Sequence, residues 1–180
     1  MTAHTHVEPP SPFVAEWISA AVRLFPSRRR ALDVAMGRGR HAKQLVEQGF
    51  DVFGVDVHLE TLRAASAALG LGGSLKIWCA DLTSFPLPFE RFEVIVVTRY
   101  LQRDLFPALN TALVPGGLLL YETFTEAQRA LGRGPTSPDH LLLTNELRER
   151  FSALDVLFYD EVTAPEAVAR LAARKPSSAL

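Results

Sequence analysis

The chain has 180 residues, 48% hydrophobic and 22% charged, with a formal net charge of −1, the proportions of one ordinary globular domain. No run approaches the ~18 unbroken apolar residues of a membrane helix, and interspersed acids and bases leave no electrostatic footprint for nucleic acid. The lone Cys79 has no partner for an internal disulfide, and the opening segment lacks the apolar region of a secretory signal, so a cytoplasmic protein is expected.

Residues 1–12 read as a mobile arm, because Pro9, Pro10 and Pro12 exclude regular structure; residues 13–175 form the single domain and 176–180 a tail. Phe13, Val14, Trp17, Ile18, Ala21 and Leu24 trace a helical stripe over 13–25, stopped by Pro26. A short apolar strand at 31–35 runs into glycines, and a helix follows at 39–47 with Gly49 as its stop. The second strand is 50–55, the next helix 59–69 closed by Gly70, and the third strand 74–80. Residues 92–98 (FEVIVVT) are almost wholly apolar, as suits a strand covered on both faces. The spacing then predicts a helix over 104–113 with Asp104 as N-cap, a break at Pro115-Gly116-Gly117, and a fifth strand at 118–124. Beyond a Gly/Pro-rich loop at 132–138 come a short helix at 145–151 and two strands, 154–159 and 167–173, with no helix between them. The alternation of strands and helices implies a mostly parallel, doubly wound α/β sheet with helices on both faces, and the last pair implies an antiparallel hairpin.

The segment Asp33-Val34-Ala35-Met36-Gly37-Arg38-Gly39-Arg40-His41-Ala42 follows a strand and opens a helix. Gly37 and Gly39 permit a sharp turn and close approach of a ligand to bare backbone, while the helix start offers unpaired N–H groups. Asp56, at the end of the second strand, stands where an acid can chelate ribose hydroxyls. Asp81 ends the third strand, where a carboxylate and the Leu82 N–H can meet the edge of an adenine. This pattern suits either a nicotinamide dinucleotide or S-adenosylmethionine. Asp33, inside the first strand, would repel a diphosphate and suits a ligand with cationic groups, so the set Asp33, Asp56 and Asp81 favours the methyl donor.

These residues resemble the class I S-adenosylmethionine-dependent methyltransferases, whose first motif reads Asp/Glu-x-Gly-x-Gly-x-Gly and stands here as Asp33 to Gly39. The likeness spans about residues 13–175 and is nearest to the tellurite-resistance-type branch. It is carried further by Gly37-Arg38-Gly39-Arg40-His41, Thr98-Arg99-Tyr100-Leu101, Leu113-Val114-Pro115-Gly116-Gly117, Tyr121-Glu122-Thr123-Phe124 and the closing 169–174. The resemblance implies a Rossmann-like sheet of seven strands, the seventh inserted antiparallel between the fifth and sixth. It also implies that Asp33 and the backbone of Ala35, Met36 and Gly37 hold the methionine end, that Asp56 takes the ribose, that Val57 covers the adenine, and that Asp81 with Leu82 reads its edge; Gly39 and Thr98 complete the cofactor set. Met36 replaces a smaller residue of the family and is expected to tighten the pocket.

The acceptor of such enzymes lies at the end of the fourth strand, here Thr98-Arg99-Tyr100, so Arg99 and Tyr100 are candidates to position it. Tyr100, His41 and Glu122 are the available general bases. Convergence of Arg99, Arg103, Arg129 and Arg133 would favour an anionic small-molecule acceptor, and the loop 127–143 and the N-terminal arm with Trp17 are candidate lids. No metal site, nucleic-acid partner or membrane contact is expected, and the chain is expected to be a monomer or homodimer. A macromolecular substrate, a non-catalytic cofactor-binding role and a nicotinamide-dependent reductase remain as alternatives.

Overall fold

The computed structural model describes residues 8–27, 29–70 and 72–177. Helix α1 (Pro12–Leu24) starts where Ser11 places its Oγ toward the Val14 N–H, and Pro12 stands at the first helical position, which needs no N–H. The helix therefore begins at the last of the three prolines: a proline that excludes a helix interior is suited to its start. Residues 1–7 of the expected arm, and 178–180 of the expected tail, lie outside the described residues.

Strands β1 (Arg30–Val34), β2 (Asp51–Asp56), β3 (Leu75–Cys79), β4 (Phe92–Thr98), β5 (Leu113–Phe124), β6 (Asp155–Val162) and β7 (Val168–Arg174) form one sheet in the order β3-β2-β1-β4-β5-β7-β6. β7 runs against its neighbours β5 and β6, while the other pairings are parallel. This is the expected arrangement, with the last strand inserted between the fifth and sixth. Central β4 separates two cores. Val94 and Val96 face α1, α2 (Arg40–Glu47) and α3 (Leu59–Leu69), in a cluster with Ile18, Leu45 and Leu62. Ile95 and Val97 face the other way, toward α4 (Phe106–Ala112) and α5 (Glu146–Arg150), with Leu109, Leu147 and Phe151. Each such fully buried side chain contributes roughly 1.5–3 kcal/mol, so a strand apolar on every residue is stable only between two helical layers.

Glu93, 4% exposed, accepts from the Arg30 backbone N–H and from its guanidinium, a buried charge fully paired. This fixes β1 against β4 at the end opposite the glycine turn.

Two local expectations differ. Asp104 caps nothing: a 3-10 turn (Arg103–Leu105) precedes α4, and Pro107 sits in the first helical turn. Pro115-Gly116-Gly117 does not separate helix from strand either, because β5 already pairs Leu113 with Phe92 and resumes at Leu118 opposite Val94. The three residues bulge out within the strand, with Gly116 at φ +78 as a left-handed bend requires.

Candidate active site

The C-terminal ends of β1, β2 and β4 open onto a crevice with two joined compartments. The first is an apolar cavity of about 160 Å³ lined by Val34, Ala35, Val55, Asp56, Val57, His58, Ala80, Leu82 and Tyr100. The second, of about 360 Å³, lies over the glycine turn, bounded by Ala35, Met36, Gly37, Thr98 and the cations Arg38, Arg40 and Arg99. Ala35 belongs to both. A third cavity of about 440 Å³ adjoins the second at Glu8, Arg40 and Arg99 and extends to Glu122, Glu166 and Arg170.

The turn is shaped by acids meeting amides. The Asp56 carboxylate accepts the Gly37 N–H at 3.0 Å and the His58 N–H at 3.0 Å, standing at the rim of the apolar cavity. Asp33 is 1% exposed and accepts the Ala42 N–H at 2.9 Å, behind the turn rather than in it. Burial pushes its carboxyl up to about 7, against the opposing pull of the Ala42 bond and Arg40. Ala35 takes φ +52, a left-handed conformation that costs a residue with a Cβ roughly 1–2 kcal/mol. It occupies the position where the family motif has glycine. Arg99, at the tip of β4, is likewise at φ +52, with its N–H given to the Glu122 carbonyl at 2.8 Å. Strained backbone at two neighbouring strand tips is a frequent mark of a working site.

The expected residues are not all placed as anticipated. Val57, more than half exposed, and Leu82 line the apolar cavity, and the Cys79 thiol donates to the Val57 carbonyl. Asp81 lies outside that lining: fully exposed, it accepts the Thr83 N–H and hydroxyl, which hold it below the usual carboxylate range. Met36 does not fill the pocket. Its side chain is buried beneath the turn, where a Cβ on Gly54 would lie 2.0 Å from its sulfur and one on Gly39 2.9 Å from its methyl. The bulk that the turn does not accommodate is thus absorbed by the missing side chain of Gly54, in the next strand. Gly39 serves packing and the left-handed start of α2 (φ +76), not the cavity wall.

Tyr100 belongs to the apolar cavity, not to the third one. Its hydroxyl donates to Gln102, its backbone carbonyl accepts the Tyr121 hydroxyl at 2.9 Å, and burial together with Asp81 and Asp56 raises its pKa. His41 is 2% exposed; Nε2 accepts the Ser11 N–H at 3.2 Å, so Nδ1 carries the proton and faces the Thr98 hydroxyl at 3.3 Å. Burial, with Arg40 and Arg99 nearby, pulls its pKa down to about 3, and the ring stays neutral. It is a strut between the N-terminal segment and β4.

The four arginines expected to converge do not. Arg99 alone lies at the crevice. Arg103 forms a fork with Glu146 at 2.6 and 2.8 Å, Arg129 donates to the Thr136 carbonyl and Arg133 to that of Pro165. The cations beside Arg99 are instead Arg40, which the motif contained, and Arg170 on β7. The latter is bound to Glu122 at 2.9 Å and near Asp160 at 3.7 Å. Glu8 and Glu166, which meet Arg99, carry no sequence signal, being 91 and 67 residues away from it. Among the described residues, no group of three or more His, Cys, Asp or Glu could hold a metal, and no helix is long and apolar enough to cross a membrane.

Comparison with known proteins agrees with this geometry. A family model described as "Methyltransferase domain" matches residues 31–117. The chain is 27% identical over 116 residues to the Bacillus subtilis (strain 168) protein YqeM, provisionally named a methyltransferase; the match covers 59% of this chain and 46% of the relative's length, less than half of it. Among solved structures, an S-adenosylmethionine-dependent methyltransferase from Mesorhizobium loti is similar with a TM-score of 0.71 at 22% identity, covering 89% of this chain and 98% of that one. TehB from Haemophilus influenzae is similar with a TM-score of 0.71 at 18% identity, covering 97% of this chain and 63% of that one. At these identities the structures establish likeness of fold.

Proposed function

We propose that this chain, whose residues 31–117 match a methyltransferase-domain model, is a class I methyltransferase that binds S-adenosylmethionine across the apolar and turn compartments and methylates a small, anionic acceptor in the third cavity. The observation that carries this reading is that the Gly37 N–H of the glycine turn is already taken by the Asp56 carboxylate. A dinucleotide needs such donors free for its diphosphate. A ligand without phosphate that carries positive charge gains from the same carboxylate.

The residues present fit that ligand. Val57 and Leu82 offer apolar faces for an adenine, Asp56 a carboxylate for ribose hydroxyls, and the backbone of Ala35, Met36 and Gly37 with Thr98 a seat for the methionine end. When bound, the donor supplies an electrophilic methyl group, and the chain's task is alignment, which can provide roughly 7–11 kcal/mol. None of the three candidate bases is poised to remove a proton: both His41 nitrogens are engaged, Tyr100 is raised and bonded to Gln102, and Glu122 is committed to Arg170. This favours an acceptor that is already anionic, steered by Arg40, Arg99 and Arg170. The third cavity, about 440 Å³, matches a small molecule.

Asp56→Ala tests the reading by calorimetry with S-adenosylhomocysteine. The wild-type chain is expected to bind it, and the variant to lose about 1–3 kcal/mol through the missing charge-assisted hydrogen bonds. Equal affinity in both would remove Asp56 from the site, and no binding to either would remove the donor.

A further inference from the structure

The junction between the donor compartments and the third cavity holds two guanidiniums on one oxygen. Arg40 Nη1 and Arg99 Nη1 each lie 3.1 Å from Glu8 Oε2. Resting on the assignment of the donor above, we propose that Arg40 and Arg99 form a carboxylate-binding subsite and that Glu8 fills it as a built-in competitor, which the carboxylate of an incoming ligand displaces.

The neighbouring charges single this pair out. Arg170 is committed to Glu122 and Asp160, and the second terminal nitrogen of Arg99 to both oxygens of Glu166. Arg40 has, among the described residues, no ion pair other than Glu8, although its side chain is only 16% exposed. Burial and the adjacent Arg99 disfavour its charge, so an anion at this point stabilises the cation. Glu8 supplies that anion from a weak position: its side chain is 66% exposed, where ion pairs contribute little.

The tether fits a plug that leaves and returns. Ser11 is held by His41 and caps α1, and Pro9 and Pro10 lie between that anchor and Glu8. A carboxylate three residues from a fixed point has a high effective concentration at the subsite. Because His41 stays neutral, the anchor persists while Glu8 exchanges. The displacing carboxylate belongs either to the methionine end of the donor, over Gly37, or to the acceptor, beside Arg170. Both present the same chemistry to the two arginines.

The test is Glu8→Gln, with Glu47→Gln at the far end of α2 as an equal loss of charge elsewhere. Each chain is titrated with S-adenosylhomocysteine, with 5′-methylthioadenosine, which lacks the amino-acid end, and with benzoate. Removing the competitor is expected to tighten a carboxylate-bearing probe roughly two- to tenfold, leaving methylthioadenosine and the Glu47→Gln chain unchanged. A gain for S-adenosylhomocysteine assigns the subsite to the donor; a gain for benzoate assigns it to the acceptor. No gain for either, or an equal gain for methylthioadenosine, overturns the proposal. Benzoate reads the subsite without any nucleoside, so failure of both adenosyl probes to bind would sink the donor assignment alone.

Discussion

Around the glycine turn, Asp56 reaches Gly37 and His58, 19 and 2 residues away, and Asp33 reaches Ala42, 9 residues away. At the charged end, Arg99 reaches Glu8 and Glu166, 91 and 67 residues away, and Glu122 reaches Arg170 across 48. The first set closes within one βαβ unit and is formed as soon as β1, α2 and β2 pack. The second requires β7 to be inserted and the N-terminal segment to be anchored, so it carries more loop-closure entropy.

The largest effect is expected at Asp33, buried behind the glycine turn. Asp33 has a folded pKa of about 7 against an ordinary value of 3.8. Between those values the native chain keeps a proton that the unfolded chain has lost, so its stability falls as pH rises through that window and levels off above 7. Asp33→Asn removes this loss, and chemical denaturation should find it more stable than wild type by roughly 2–4 kcal/mol at pH 8, with little difference at pH 4. Parallel pH profiles would show that Asp33 does not hold its proton.

Next comes Gly54→Ala, which sets a Cβ against the Met36 sulfur. Overpacking of this kind costs about 1–3 kcal/mol, and by lifting the turn it should weaken S-adenosylhomocysteine as well. Adding Met36→Ala should restore much of both losses, whereas additive losses would mean that the two residues do not share that space. The smallest effect is expected at the charged end. Glu122→Gln keeps an acceptor for Arg170 but removes the charge, costing about 0.5–1.5 kcal/mol in thermal denaturation while leaving S-adenosylhomocysteine affinity within about twofold. A large loss of donor binding would erase the distinction between the two ends.

The same division explains what could be read from the chain. Strand and helix order and the turn at Gly37 follow from apolar periodicity and local backbone requirements, which neighbouring residues express, whereas the insertion of the last strand was implied by the family resemblance alone. Asp104 failed as a cap because a 3-10 turn draws the chain into α4 before it, and Pro115 to Gly117 became a bulge because pairing with β4 reaches past them. The direction of Met36 was decided by Gly54, on another strand, and the position of Asp81 by Thr83, two residues on, which holds its carboxylate. Arginines counted near two strands proved to be claimed by Glu146 and by backbone carbonyls, while the actual charged cluster drew Glu8, Glu166 and Arg170 from both ends of the chain. Spacing along the sequence carries no trace of such meetings.

The account rests on a crevice whose Gly37 amide is already taken by the Asp56 carboxylate. Calorimetric titration of one preparation with S-adenosylhomocysteine and then with NAD⁺ at pH 8 tests this most directly. The expected result is saturable one-to-one binding of the first and no heat from the second; saturable binding of NAD⁺ with none of S-adenosylhomocysteine would contradict it.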